Sequence, residues 1–141
     1  MRVAALCALL LAAACGDDGN ATIDARPVDT PPGAVPRETV MENVPLVVNE
    51  IVEAILVGGP NDYAHITMSA GGAPIDWNLH GHANGETQVV VEELRAAGVD
   101  YVFIPSAQAD WYLLIRNKGQ TDINIALKID LFVDMTWSGW Q

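Results

Sequence analysis

Apolar side chains return at every second position through most of residues 44–141, and no other feature restricts the fold so sharply. Over residues 63–70, Ala64, Ile66, Met68 and Ala70 point one way, and Tyr63, His65, Thr67 and Ser69 the other. Over 75–82, Ile75, Trp77 and Leu79 oppose Asp76, Asn78, His80 and His82, and Trp111, Leu113 and Ile115 repeat the pattern. Ile123, Ile125, Leu127, Ile129, Leu131 and Val133 carry it through one long segment. Because strand side chains alternate between the faces of a sheet, this period places one face in a core and the other in solvent. Further strands are predicted over 46–57, 87–93 and 100–105, with a helical turn over 92–97. Gly58-Gly59-Pro60-Asn61-Asp62, Gly71-Gly72-Ala73-Pro74, Asn84-Gly85 and Asn117-Lys118-Gly119-Gln120 supply turns between them. The expected fold class is all-β: a single antiparallel β-sandwich of about seven to eight strands, jelly-roll-like or immunoglobulin-like in topology.

One pairing suggests chemistry. If residues 71–74 close a hairpin, Met68 faces Trp77 and Ile66 faces Leu79 on the apolar side. The same register sets Ser69 against Asp76, Thr67 against Asn78 and His65 against His80, with His82 beside them. All three histidines of the chain then gather on one outer face. His-x-His on a strand presents two imidazoles to one ion, and a third completes a set suited to Zn²⁺ or Cu²⁺. Glu86, past the Asn84-Gly85 turn, adds a carboxylate to this candidate metal site. The plainer alternative is a row of solvated histidines bonded to neighbours such as Asp76, and a one-residue slip would separate them.

The N-terminus carries a different kind of signal. Arg2, a short apolar segment from Val3, and Leu11-Ala12-Ala13-Ala14-Cys15 opening onto Gly16-Asp17-Asp18-Gly19 form the pattern of a secretory signal peptide. The segment is shorter than the roughly 20 apolar residues that span a bilayer. Small residues running into a Cys resemble the lipobox of bacterial lipoproteins, although Ala12 stands where that motif commonly has Leu. The resemblance implies that residues 1–14 are removed, that Cys15 is lipid-modified, and that the membrane is reached through this N-terminal lipid. Gly16 in place of Asp after the Cys favours the outer membrane over retention in the inner one. The alternative is a plain signal peptide with a chance cysteine. The chain's other cysteine, Cys7, lies in the removed part, so no disulfide is expected.

Residues 15–43 hold Pro27, Pro31, Pro32 and Pro36 with several Asp and Thr, and read as the lipidated Cys followed by a disordered linker. The domain is then expected over 44–141. Lys and Arg total 7 against 18 Asp and Glu, and loss of residues 1–14 removes Arg2 and no acid, taking the net charge from −11 to −12. Phosphate contacts need clustered Lys and Arg, so nucleic acid is excluded as a partner.

Two tryptophans, Trp77 and Trp111, fall in apolar registers and belong to the core. Trp137 and Trp140, near the end of the chain, are candidates for an exposed partner-binding pair, toward an envelope protein or glycan, or for a lid folded onto the core. Tyr101-Val102-Phe103-Ile104-Pro105 and Trp111-Tyr112-Leu113-Leu114-Ile115-Arg116-Asn117 resemble closing strands of bacterial pre-peptidase C-terminal domains and of GOLD domains. That resemblance covers about a third of the chain. It implies a non-catalytic accessory or binding module, with Asn61-Asp62 as a weak counterpart of the calcium-binding acids of some pre-peptidase domains. An enzyme is the least supported class. No serine sits in a nucleophile elbow, no thiol is left after maturation, and no Gly-rich loop precedes a helix. A hydrolytic metal site would have to use the histidines with Glu86 or Glu50 as base. The expected function is therefore a lipid-anchored binding or structural module, with a copper- or zinc-binding lipoprotein using His65, His80 and His82 as the alternative.

Overall fold

The computed structural model describes residues 33–83 and 86–141. Cys15 and most of the expected linker lie outside those residues. Nine strands follow one another: β1 (Glu38–Leu46), β2 (Ile51–Gly58), β3 (Tyr63–Ser69), β4 (Ile75–Ala83), β5 (Glu86–Ala96), β6 (Gly98–Phe103), β7 (Ala109–Asn117), β8 (Ile123–Phe132) and β9 (Thr136–Trp140). They form a four-stranded sheet, β1-β8-β3-β6, and a five-stranded sheet, β5-β4-β7-β2-β9. Every pairing is antiparallel. The first eight strands take the order of a jelly roll, and β9 adds an edge beside β2. Among the described strands only β4 and β5 are consecutive partners, and their pairing runs to Ala83↔Glu86.

The period-two pattern predicts which side chains are inside. Ile66, Leu79, Leu113, Ile115, Ile125, Ile129 and Leu131 are fully buried, together with Leu56 and Ile75. Each such side chain contributes about 1.5–3 kcal/mol through removal from water. Phe103 and Trp111 meet edge to face at 5.3 Å, and Trp77 and Tyr101 at 5.5 Å, locking the two sheets together.

The expected hairpin over 71–74 does not form. β3 pairs with β6 and β8, while β4 pairs with β5 and β7, so the segment through Gly71 (φ 63°) and Gly72 (φ 90°) is an arch between sheets. Packed sheets stand about 10 Å apart, within reach of a few extended residues at about 3.3–3.6 Å each. A hairpin and an arch both turn Met68 and Trp77 toward the core, and apolar alternation alone does not separate them. They differ on the polar side, which an arch sends to opposite surfaces of the molecule.

Other boundaries move as well, and the single strand expected over 46–57 is divided between the end of β1 and β2, in different sheets, by a turn closed from Glu50 N to Val47 O. The first strand begins at Glu38, inside the expected linker, because Val40, Val44 and Leu46 pack on the core while β1 pairs along β8 from Glu38↔Leu131 to Leu46↔Ile123. Glu42 breaks the apolar alternation there and conceals the strand. The expected turn of helix over 92–97 is strand: β5 runs to Ala96 with two register shifts, and the Arg95 N–H donates to Asp76 Oδ1 at 2.9 Å. The long final strand stops at Phe132, where Val133 (φ 60°) and the bond from Met135 N to Phe132 O turn the chain back into β9.

Candidate functional site

The arch decides the fate of the histidines. His65, on β3, projects from the outer face of the four-stranded sheet, whereas His80 and His82, on β4, project from the outer face of the other sheet. The expected three-histidine set is therefore not assembled. Glu86 does not join it either, because Thr87 is the residue opposite His82, and Glu86, opposite Ala83, points from the other face of the ribbon. Among the described residues no set of three or more His, Cys, Asp and Glu side chains stands ready to hold a metal ion.

His65 belongs to a polar ladder. Its Nε2 lies 2.5 Å from Asp100 Oδ1, and Asp130 is its cross-strand neighbour on β8. Burial works to raise the pKa of Asp130, but hydrogen bonds from Lys128 Nζ (2.5 Å) and Thr39 Oγ1 (2.6 Å), with the Lys128 and His65 charges, outweigh it and hold the carboxyl below the ordinary range. These groups are paired with one another and serve the sheet.

The other outer face is different in kind. Its middle row, read across the strands, is Val89, His80, Tyr112, Ile55. The next row is Glu92, Asn78, Leu114, Glu53. The His80 ring stacks on Tyr112 at 5.4 Å and 19°, and His82 meets both, His80 at 5.2 Å and Tyr112 at 4.9 Å. His80 is 8% exposed. Its Nδ1 lies 2.8 Å from Asn78 Oδ1 and its Nε2 lies 3.5 Å from Glu53 Oε1. Burial lowers the His80 pKa, Glu53 acts to raise it and His82 to lower it, and the balance is below the usual imidazole value. In the tautomer that donates Nδ1–H to Asn78 Oδ1, Nε2 is the acceptor on the Glu53 side.

The glycine between the two histidines is a packing requirement. A Cβ on Gly81 would meet the Trp111 ring at 2.8 Å, so only glycine lets the indole lie directly against β4. Beside this cluster a shallow groove of about 220 Å³ is lined by Ile51, Asp76, Asn78, Leu94, Leu114 and Arg116, among others. Arg116 Nε is buried there without a hydrogen-bond partner. Leu94 is 66% exposed, and Ile51 and Val89 each 53%.

Of the two arrangements expected for Trp137 and Trp140, a lid folded onto the core and an exposed pair, the chain takes the first. In a regular strand, residues three apart face opposite ways, but Leu56↔Trp137, Ile55↔Gly139 and Ala54↔Trp140 leave Ser138 as an extra residue, and Gly139 takes φ 97°. This bulge sets both indoles beside the inward-facing Leu56 and Ala54. They meet edge to face at 5.5 Å, pack on the core, and close the edge of the sandwich, where Trp140 Nε1 donates to Glu42 Oε2 at 2.9 Å. The glycine of Ser-Gly-Trp was the available signal for this bulge. Of the two acids considered for other chemistry, Asp62 accepts from the N–H groups of Gly59 and Asp134, and Glu50 from that of Val47. Both bind backbone and shape loops.

No family model matches the chain, and no curated protein matches it. Among solved structures it is similar to the Yersinia pseudotuberculosis-derived mitogen (YPM), with TM-score 0.54 and 13% identity over 76% of this chain and 96% of that one. At that identity the likeness is one of fold. Aeromonas hydrophila PliG, a periplasmic lysozyme inhibitor of g-type lysozyme, matches with TM-score 0.49 and 13% identity over 75% of this chain and 94% of that one.

Proposed function

We propose that the protein is an exported, lipid-anchored, non-catalytic binding module, and that the outer face of its five-stranded sheet docks a basic protein partner. The observation that carries this reading is the asymmetry of the two outer faces. One carries a polar ladder of Thr39, Asp130, His65 and Lys128 whose groups satisfy each other, with the exposed Met41 standing beside Lys128. The other exposes Leu94, Ile51 and Val89 around the half-buried Ile55, Tyr112 and Leu114. An apolar patch with a polar rim is the usual form of a protein-docking surface. A glycan would need a free aromatic face, and the Tyr112 ring is already covered by His80 and His82.

Charge selects the class of partner. Glu53, Asp76, Glu92 and Asp110 lie on this face against Arg116, within a chain of net charge −11. Such a field speeds encounter with a cationic protein and repels anionic ones. Anchoring through Cys15 would hold the domain at a membrane despite its charge, with two acyl signals needed for stable attachment.

Site-specific photocrosslinking in producing cells tests the docking face. Crosslinkers at Val89 and Leu94 are expected to give one discrete adduct with a basic protein, absent from Met41 on the opposite sheet. Purified, that complex should weaken with added salt and with Ile55→Lys. Equal adducts from both faces, or a glycan-dependent adduct, would refute it. The anchor is tested separately by labelling with an alkyne fatty acid, which is expected to mark the wild-type chain and not Cys15→Ser.

A further inference from the structure

Two acceptors that approach each other over β7 do not satisfy each other. Asn78 Oδ1 accepts from His80 Nδ1–H at 2.8 Å, which leaves His80 Nε2 as an acceptor. Opposite it, at 3.5 Å, stands a carboxylate oxygen of Glu53, also an acceptor. Two acceptors 3.5 Å apart are favourably bridged by a cation. The spacing suits one: two ligands of a single tetrahedral ion at bond lengths of about 2.1 Å stand about 3.4 Å apart.

We propose that His80 Nε2, the Glu53 carboxylate and the imidazole of His82 bind a divalent cation of the Zn²⁺ or Cu²⁺ class. The first two ligands are in place. Their side chains are 10% and 29% exposed, and the His80 ring is stacked on Tyr112, so a bound ion would be sheltered from water on that side. The third arrives by rotation of His82, whose ring is exposed, is centred 5.2 Å from that of His80, and is held by a long 3.4 Å contact with Thr87 Oγ1. Imidazole with one carboxylate is the donor set of Zn²⁺ and Cu²⁺, and not of Ca²⁺ or Mg²⁺, which take oxygen ligands. Asn78 is the positioning residue. It fixes the tautomer and ring orientation of His80, as an outer hydrogen-bond partner commonly does for a ligating histidine. His65, on the opposite sheet, takes no part. The site does not depend on a docked partner, and its failure would leave the docking proposal untouched.

The experiment is calorimetric titration of the purified, chelator-treated protein with CuCl₂ and ZnCl₂, joined to electron paramagnetic resonance of the Cu²⁺ form. One equivalent is expected to bind in the presence of excess Ca²⁺, with hyperfine coupling to two nitrogens. Binding should be lost in His80→Ala and weakened at least about tenfold in Glu53→Gln, His82→Ala and Asn78→Ala. His65→Ala should bind as wild type. His82 is exposed, so His82→Ala tests the site even if His80→Ala fails to fold. The proposal is overturned by absence of stoichiometric binding, by binding that persists in His82→Ala and Glu53→Gln, or by equal loss in His65→Ala, which would mark diffuse attraction to an acidic surface.

Discussion

Gly81→Ala offers a sharp test of how the site is built on the core. The added Cβ would lie 2.8 Å from one Trp111 ring atom and 2.9 Å from another, closer than side-chain carbons approach. Trp111 is 2% exposed, and its Nε1 lies 3.4 Å from Gly58 O, so the ring has nowhere to retreat. Overpacking of this kind costs about 1–3 kcal/mol. Loss of glycine's extra freedom in the unfolded chain offsets about 0.4–1 kcal/mol of that. The net destabilisation is about 1–2 kcal/mol, which lowers Tm by about 4–15 °C in a domain of this size. The clash lies with the indole's outer ring, so Trp111→Phe should relieve it. Thermal and urea unfolding of the wild type, both single variants and the double variant give the coupling directly. The double variant is expected to be more stable than the sum of the single effects by at least about 1 kcal/mol. Additive effects, or a Gly81→Ala protein as stable as wild type, would refute the packing argument.

Asn117 is fully buried. Its Nδ2 donates to Leu46 O and Thr121 O, and its Oδ1 accepts from Gly119 N. Asn117→Ala strands these groups and should cost about 2–4 kcal/mol in urea unfolding, and a loss below about 1 kcal/mol would show the network to be dispensable. Because the Asp130 carboxyl is held below its ordinary value of 3.8, it contributes stability that is present above that value and lost as pH falls through the folded-state value. Asp130→Asn should therefore flatten the loss of stability as pH falls below the ordinary value, and an acid profile identical to wild type would contradict this. Gly139→Ala meets no atom within 4 Å but keeps φ 97°, so it should cost about 1–2 kcal/mol through backbone strain alone. Tryptophan fluorescence should report Trp137 and Trp140 loosening together, and an unchanged spectrum and Tm would argue against the bulge.

The sequence by itself determined the all-β class, the inward and outward side of most strands, and the breaks between strands at residues 58–62 and 117–120. These follow from local physics: a strand repeats every two residues, and one face must be buried to offset chain entropy. Ile66, Leu79, Ile115 and Leu127 were legible as core for that reason. Only the tertiary structure decided which strands are neighbours. The segment 71–74 closes equally well as a hairpin or an arch, and the choice is made by the partners that β3 and β4 find elsewhere, on β6, β8, β5 and β7. That choice parts His65 from His80 and His82, and it brings in Glu53, nearly thirty residues from His80, two strands away across the sheet. Likewise Glu42 falls in the expected linker, and its place in β1 is settled by pairing with β8 and by Trp140, 98 residues on, which donates to it. Alternation records which way a side chain faces, whereas a site needs to know what faces it, and that is settled by contacts far apart in the chain.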